Sequence, residues 1–464
     1  MRRLVFALLC LIAPHTLTAD TRVPANQMEI QLSFAPLVRQ AAPAVVNIYA
    51  KRVVEQRRAP SPFADDPFFR DFFGFGDFGP ARPRVENSLG SGVILSADGY
   101  VVSNYHVVGN ASDIRVVLKD RREFSAEVVL GDEASDLAIL RLQGATDLPS
   151  IALRDSNTVE VGELALAIGN PFGVGQTVSS GIISGLARSG KITGNARGYF
   201  IQTDAPINPG NSGGALIGMD GALIGVNTAI VTRSGGSNGI GFAIPAALVA
   251  QFLDQSRAGQ TRFQRPWAGM GGQAVDADLA SSLGLARPGG MAITQLQPGS
   301  PFAQVGLQVG DVITAASGRA VNSPSEMLYY MTVAGLGGTI DVTAVREGTP
   351  RTYAVAMIGP PDTPPRAVVR LGGADPLPGL TLANVNPAVI AEYQLPVLPE
   401  GVVVLELGPF GARVGLQKGD LLREIDGRDI RDTADAAKAF GAARRGMSMT
   451  IERGGQLVLL RFRL

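Results

Sequence analysis

The stretch INPGNSGGAL, residues 207–216, places Ser212 between Gly210 on one side and Gly213 and Gly214 on the other. A serine hydroxyl attacks a carbonyl only when a nearby base takes its proton. Ser212 is therefore either a nucleophile or a polar residue in a glycine turn, and the rest of the chain must supply the base. Imidazole is the side chain best suited to that task near neutral pH. The chain has two histidines, His15 and His106. His106 stands at the end of an apolar strand-like run, YVVSNYHVV, where a lone histidine is more often a hydrogen-bonded core residue. A carboxylate could orient it, and Asp136 opens SDLAILRL. Asp113, Asp132 and Asp155 are rivals on composition alone, and an aspartate before a strand is commonly a turn residue. Each of the three groups is ordinary by itself.

The N-terminus narrows the choice. Arg2 and Arg3 precede a short apolar run, Leu4 to Ala13, and Leu17-Thr18-Ala19 ends at a cleavage-like site before Asp20. The run is about half the roughly 20 residues that a spanning helix needs. Residues 1–19 therefore read as a cleaved export signal and not as a stable membrane anchor. Bulky Leu9 before Cys10 argues against lipid attachment. No later segment is apolar enough to span. Cleavage removes Cys10, the single cysteine, together with His15. The mature chain then has no disulfide, no thiol nucleophile and no thiolate metal site, and neither a metal nor another cofactor is expected. Any imidazole chemistry falls to His106.

These groups need a scaffold. At 464 residues the chain suits two to four domains. With 45% hydrophobic residues a sizeable core is available, while 57 glycines and 6% aromatics favour short strands and tight turns. Lys+Arg and Asp+Glu balance at 41 each, so no global field draws the protein to nucleic acid. Residues 33–50 read as a short helix and a strand. From about 52 to 85 the pattern breaks into Pro, Gly and Arg with phenylalanines clustered between Phe68 and Phe78, a loop whose aromatics seek a partner surface. From Gly90 to Ile244 short apolar strands alternate with turns, including a hairpin at Asp98-Gly99, as in a barrel or sandwich. A helix with Pro245 early and Gly259 after its end closes the region.

The remainder is a repeat. Val-Gly-Leu-Gln-x-Gly-Asp occurs at Val305 to Asp311 and again at Val414 to Asp420. A proline-rich stretch, GPPDTPPRAVV, lies between the copies and reads as a stiff linker. Each copy is domain-sized, and Ser323 with Glu326 forms a capping box before a helix. GLARSGK (185–191) begins like a phosphate loop, but Ile192 stands where a Mg²⁺-binding hydroxyl is required and no helix follows. ATP binding is not expected.

The chain order His, Asp, Ser within one all-β region is that of the chymotrypsin-type triad. With SNYHVV, SDLAIL and GNSGGAL in order, followed by the repeat, nearly the whole mature chain resembles the HtrA (Deg) family of serine proteases. The resemblance implies a mainly β fold: a chymotrypsin-like double barrel (20–258), a first PDZ domain (262–358), a linker (359–372) and a second PDZ domain (373–464). It assigns Ser212 as nucleophile, His106 as base and Asp136 as its orienter. Gly210 and Ser212 N–H groups form the oxyanion hole, with Asn211 shaping the turn. That loop can collapse in a resting state. The specificity pocket is walled by Ile207 and Ile230 with no acid at its base, so cleavage follows small or medium aliphatic residues. Arg188 matches the arginine of a regulatory loop that contacts the PDZ domain. Ala268, Gly269 and Met270 form the carboxylate nest of the first PDZ domain, with Ala268 smaller than the family's usual residue. LPGLTL (377–382) is its equivalent in the second, where Pro378 removes one donor and weakens peptide binding. The family's two-PDZ branch is soluble and degradative. The expected protein is an ATP-independent endopeptidase of the periplasm that takes unfolded chains and peptide C-termini and assembles as trimers or multiples of trimers. The alternative is a chaperone or scaffold that holds unfolded clients with little proteolysis.

Overall fold

The computed structural model describes residues 33–54, 84–170, 175–189, 199–208, 210–230, 239–297, 299–393, 395, 400–442 and 446–463. The segment read as an export signal and the Phe-rich stretch lie outside the described residues, as do the side chains of Arg188 and Ile230.

A short helix α1 (Ala35–Ala41), with proline in its first turn, leads into β1 (Val45–Val54). The chain continues through β2 (Arg84–Ile94), β3 (Tyr100–Ser103), β4 (Asp113–Val117), β5 (Glu123–Asp132) and β6 (Leu137–Leu142). These close into a barrel in the order β1-β2-β3-β6-β5-β4. Strand β4 shows why: Ile114 and Val116 point inward while Asp113 and Arg115 face solvent, the period of two that a one-sided core demands.

One element departs from expectation. His106 does not end a strand. The chain leaves β3 at Asn104 and winds into a single helical turn, α2 (Tyr105–Val108). The physical reason is local: the Asn104 amide donates to the Asp136 carbonyl at 3.0 Å and Tyr105 N–H donates to the same oxygen at 3.1 Å. Those bonds draw the chain out of the β3 ladder.

The second barrel comprises β7 (Leu164–Gly169), β8 (Thr177–Ser189), β9 (Tyr199–Thr203), β10 (Ala215–Gly218), β11 (Leu223–Ile230) and β12 (Gly241–Pro245), closed as β10-β11-β12-β9-β8-β7. Residues 185–189 of the phosphate-loop look-alike are strand within β8. Asp204 is structural, accepting the Ile182 N–H at 2.7 Å. Helix α3 (Ala246–Arg257) follows directly after Pro245. Its Leu248, Val249 and Phe252 join the core shared by both barrels, and Phe252 stacks on Phe263 at 3.8 Å between centroids. Burying such a side chain is worth about 1.5–3 kcal/mol.

Two smaller sheets follow. The first contains β13 (Met270–Ala274), β14 (Met291–Leu296), β15 (Val312–Ala316), β16 (Arg319–Ala320), β17 (Thr339–Arg346) and β18 (Thr349–Ala356), with helices α4 (Ala277–Ser282), α5 (Pro301–Gln304) and α6 (Pro324–Ala334). Its order is β13-β14-β15-β17-β18, with β16 on β15. Half of the capping box forms, with Ser323 Oγ accepting the Glu326 N–H at 3.2 Å, while the Glu326 carboxylate reaches back one residue further to the Asn322 N–H at 2.8 Å. The second sheet contains β19 (Val369–Arg370), β20 (Thr381–Asn384), β21 (Val402–Glu406), β22 (Leu421–Ile425), β23 (Arg428–Asp429), β24 (Gly446–Arg453) and β25 (Gln456–Arg463). Its helices are α7 (Pro387–Glu392), α8 (Gly408–Gly411) and α9 (Thr433–Ala442). From β20 to β25 it repeats the first, and β19 is an addition. The stretch 359–372 is thus not linker throughout, because its end is a strand.

The repeated Gly-Asp has a structural cause. Asp311, 2% exposed, accepts the Gln308 N–H at 2.8 Å and receives both arms of Arg346 at 2.6 and 2.7 Å. Asp420, 1% exposed, accepts Gln417 N–H and both arms of Arg453, each at 2.7 Å. Each carboxylate closes a turn and ties it to a strand, with the bidentate geometry that favours arginine. The arginine beside it holds the Asp311 carboxyl below its usual range against the opposing effect of burial.

The first module is docked on the protease barrels. The Tyr329 ring of α6 stacks on Tyr199 of β9, with centroids 3.8 Å apart and planes within 4°. Tyr330 packs edge-on against Tyr329 at 5.4 Å.

Candidate active site

Asp136 follows the short 3₁₀ turn Glu133–Ser135 and adopts a left-handed φ of 52°, with its N–H bonded to Glu133 O at 3.1 Å. That conformation is tolerated by aspartate more readily than by bulkier residues. It presents the carboxylate to α2. Oδ1 accepts the His106 backbone N–H at 3.0 Å, and the ring Nδ1 lies 2.9 Å from both carboxylate oxygens. Nδ1 facing a carboxylate carries the proton, which leaves Nε2 as the basic nitrogen. Thr228 Oγ1 of β11 donates to Asp136 Oδ2 at 2.6 Å. Burial disfavours the His106 imidazolium, but the charge and hydrogen bond of Asp136 outweigh it and hold the His106 pKa above the ordinary 6.5.

Ser212 precedes β10 in the other barrel, and its Oγ donates to the Thr228 carbonyl at 3.2 Å. Thr228 therefore touches both the carboxylate and the serine. Ahead of Ser212, the segment Asn208 to Asn211 is a turn closed by Asn211 N–H donating to Asn208 O at 3.0 Å, with Gly210 at φ 91°. A positive φ is one that glycine adopts without strain. The Asn211 N–H is spent inside the turn. The Gly210 and Ser212 N–H groups find no acceptor among the described residues. Asn211, 3% exposed, anchors the turn by accepting Thr177 Oγ1 at 3.0 Å.

The glycines after the serine serve close approach. A Cβ on Gly213 would sit 2.1 Å from the Ser91 carbonyl oxygen, and one on Gly214 would sit 2.3 Å from that of Ile168. Ser91 of β2 is a site residue that sequence reasoning missed. It is fully buried, donates its hydroxyl to Gly210 O at 2.6 Å, accepts Asn170 N–H at 2.8 Å and donates its own N–H to Ser212 O at 2.9 Å. One residue of the first barrel thus fastens the serine loop of the second. Thr228 and Asn104 were also missed as partners of Asp136, since neither follows a readable pattern.

The rival carboxylates have other work. Asp113 is exposed and pairs with Lys51 at 3.4 Å, and Asp155 accepts the Asn157 N–H at 2.9 Å. Asp132, 6% exposed, accepts Ser135 N–H at 2.7 Å. Arg265, from the segment between α3 and β13, donates to Asp132 and to Ser135 Oγ at 2.6 Å. The turn that carries Asp136 is thereby held by a residue at the root of the first module.

Ile207 is buried in the second barrel's interior, where a Cβ on Gly241 would touch its Cδ1 at 2.8 Å. Ile230 is the last residue of β11, and Arg188 pairs in register with Phe200. In the first module Gly269 has φ 58° and a Cβ there would sit 2.6 Å from the Trp267 ring. The Ala268 carbonyl accepts Ser300 Oγ at 2.7 Å, and Met270 opens β13.

Residues 90–226 match the trypsin-like peptidase domain and residues 268–357 the PDZ domain. A probable periplasmic serine endoprotease, DegP-like, from Marinomonas sp. is 36% identical, covering 93% of each chain. The periplasmic pH-dependent serine endoprotease DegQ of Escherichia coli is 36% identical over 93% of this chain and 91% of its own. The solved structure of the HtrA-type protease AlgW with decapeptide is 40% identical and covers 71% of this chain and 99% of that one, with a TM-score of 0.51. With its paired closed barrels and PDZ-type sheets, the chain is a serine endopeptidase and belongs to the HtrA family that includes DegP and DegQ.

Proposed function

We propose that this protein degrades unfolded exported proteins in the periplasm with His106, Asp136 and Ser212 as its catalytic triad. Ser212 Oγ adds to the scissile carbonyl while His106 Nε2 takes its proton. The resulting oxyanion is met by the Gly210 and Ser212 N–H groups, a donor pair in which each member is worth about 3 kcal/mol. Collapse returns the carbonyl and expels the amine, which takes the proton from His106. A water deprotonated by His106 then releases the acyl group from Ser212 by the same route. Asp136 keeps Nδ1–H oriented and stabilises the imidazolium in both halves.

The observation that carries this reading is the Asp136 carboxylate, hydrogen-bonded at once by His106 Nδ1 at 2.9 Å and Thr228 Oγ1 at 2.6 Å, with Thr228 O bonded to Ser212. The apolar packing of Ile207, with Ile230 as the second wall, favours small or medium aliphatic side chains at the cleavage position. Peptide C-termini dock at Ala268, Gly269 and Met270 beside β13 and regulate activity, and Arg188 relays that signal. The chain assembles as trimers or multiples of them. The periplasmic names of the relatives support the compartment, and no described helix is long and apolar enough to cross a membrane.

A fluorophosphonate probe, added with unfolded casein and a C-terminal peptide, labels the wild type at Ser212 and leaves Ser212→Ala unlabelled. His106→Ala loses casein cleavage, because the mature chain has no other imidazole. An unlabelled wild type, or turnover retained by His106→Ala, overturns the assignment. An unlabelled wild type that still suppresses casein aggregation favours the holding role instead.

A further inference from the structure

The second module differs from the first at the strand edge where a PDZ domain accepts a peptide. In the first module, β13 pairs with β14 on one side, and no strand among the described residues lies on the other. In the second, β20 occupies the equivalent place and is bonded on both sides. Strand β19 runs antiparallel to it, with Val369 opposite Leu382 and Arg370 opposite Thr381.

The hydrogen bonds extend along the whole edge. Leu371 N–H donates to Leu380 O at 2.9 Å, Gly379 N–H to Leu371 O at 2.9 Å and Asn384 N–H to Arg366 O at 2.8 Å. Thr433 Oγ1, at the start of α9, donates to the Ala367 carbonyl at 2.8 Å. The side chains alternate as those of a docked strand do. Leu371 is 5% exposed and Val369 packs on the same core, whereas Val368 is 50% exposed. A PDZ domain receives a terminal carboxylate on the backbone N–H groups that precede its edge strand. Here Gly379 supplies such an N–H, and the Leu371 carbonyl takes it. The chain does not end there: it turns at Gly372, whose N–H donates to Asp375 Oδ2 at 2.6 Å, and becomes the loop leading into β20.

We propose that residues 366–371 are a built-in ligand of the second module, an internal strand with Leu371 in the place of a C-terminal residue, so that free peptide termini dock on the first module alone. The cause is an occupant and not the donor missing at Pro378. A ligand tethered by so short a loop acts at an effective concentration on the order of millimolar, so a free peptide of equal intrinsic affinity at about 10 μM competes roughly a hundredfold less well. The inference rests on the reading of these edges as peptide-accepting, and the experiment separates the two.

A synthetic peptide with a free apolar C-terminus and a benzophenone is photo-crosslinked to the full chain carrying Ser212→Ala, and the adducts are mapped by mass spectrometry. Adducts are expected on β13 and α6 and not on β20 or α9. Val369→Asp with Leu371→Asp should raise labelling of β20 and α9 at least tenfold. As a variant that keeps the core closed, Val369→Cys with Leu382→Cys in a Cys10→Ser background should, once oxidised, leave β20 and α9 unlabelled. Labelling of β20 and α9 comparable to β13 in the parent or in the oxidised lock overturns the proposal. So does flat labelling in the double aspartate variant when amide exchange shows the second module still folded. Absence of adducts on every element in every variant overturns the peptide-docking reading itself, and this proposal with it.

Discussion

The two PDZ-type modules share a scaffold and differ on two surfaces. Each turns through the same Gly-Asp, and each Asp is clamped by an arginine at the same place in the sheet order. On the helix that flanks the edge strand, the first presents Tyr329 and Tyr330, and the second has Lys438 and Ala439 at the repeat-equivalent positions. Tyr329 is buried against Tyr199 of the protease, whereas Lys438 is exposed. The first module is thus packed on the protease barrels, and no strand among the described residues pairs with its edge. The second has its edge paired, and it meets the segment after α3 through Arg262, which donates to Glu392 O at 3.4 Å. Duplicating a fold repeats its core; what each copy can do depends on the surfaces that were free to diverge.

The largest test addresses the shared scaffold. Asp311→Ala and Asp420→Ala each remove a buried carboxylate from a bidentate pair, leaving the arginine with one carbonyl acceptor, Gly306 O or Gly415 O, and the turn N–H with none, at a cost of about 3 kcal/mol. Trp267 is the single tryptophan and its backbone N–H is bonded to Ile358 O at 2.8 Å in the first module, so its fluorescence reports that module's unfolding. Asp311→Ala should move the Trp267 denaturant midpoint strongly and Asp420→Ala should not. Equal shifts would mean that the modules unfold as one unit, and the comparison would break.

A smaller effect separates the helix faces. Tyr329→Ala should lose about 2–3 kcal/mol of docking, from burial plus ring stacking. Lys438→Ala should stay within about 0.5 kcal/mol. A double-mutant cycle between Tyr199 and Tyr329 should return a coupling near 1 kcal/mol, and zero coupling would remove the stacked pair as the distinguishing contact.

The smallest effect is a shift along the pH axis. Because Asp136 raises the His106 pKa above 6.5, kcat/KM for peptide cleavage should fall as pH drops through that raised value, on the alkaline side of 6.5. The matching stability contribution is present in full below 6.5 and is lost as pH rises through the raised pKa. Asp136→Asn should lower the acid limb, whereas Lys438→Ala should leave it in place. A limb that moved with Lys438→Ala would tie the second module to the triad and undo the contrast.

Much of this was legible in advance. The strand spacing, the scarcity of histidine, the glycines about Ser212 and the Val-Gly-Leu-Gln-x-Gly-Asp repeat all leave local traces. Alternation follows from a pleated strand with one buried face, and glycine marks a backbone that no side chain could join. The apolar pattern carries His106 onto the end of a strand, whereas the bonds that bend it off β3 come from Asp136, 30 residues away. Ser91 and Thr228 were silent for a similar reason. A buried serine between two strand glycines has no periodic signature, and its role appears only when the second barrel brings Gly210 and Asn170 to its hydroxyl.

By itself the sequence determined which residue types were available: two histidines in 464 residues, a serine followed by two glycines, and two copies of one motif. Only the tertiary structure decided among equivalents. It set Asp136 apart from Asp113, Asp132 and Asp155 by giving those three other partners. It also turned the end of a proline-rich linker into the strand that covers β20. Both decisions depend on hydrogen bonds between segments distant in the chain, and such bonds leave no periodic trace in either partner's sequence.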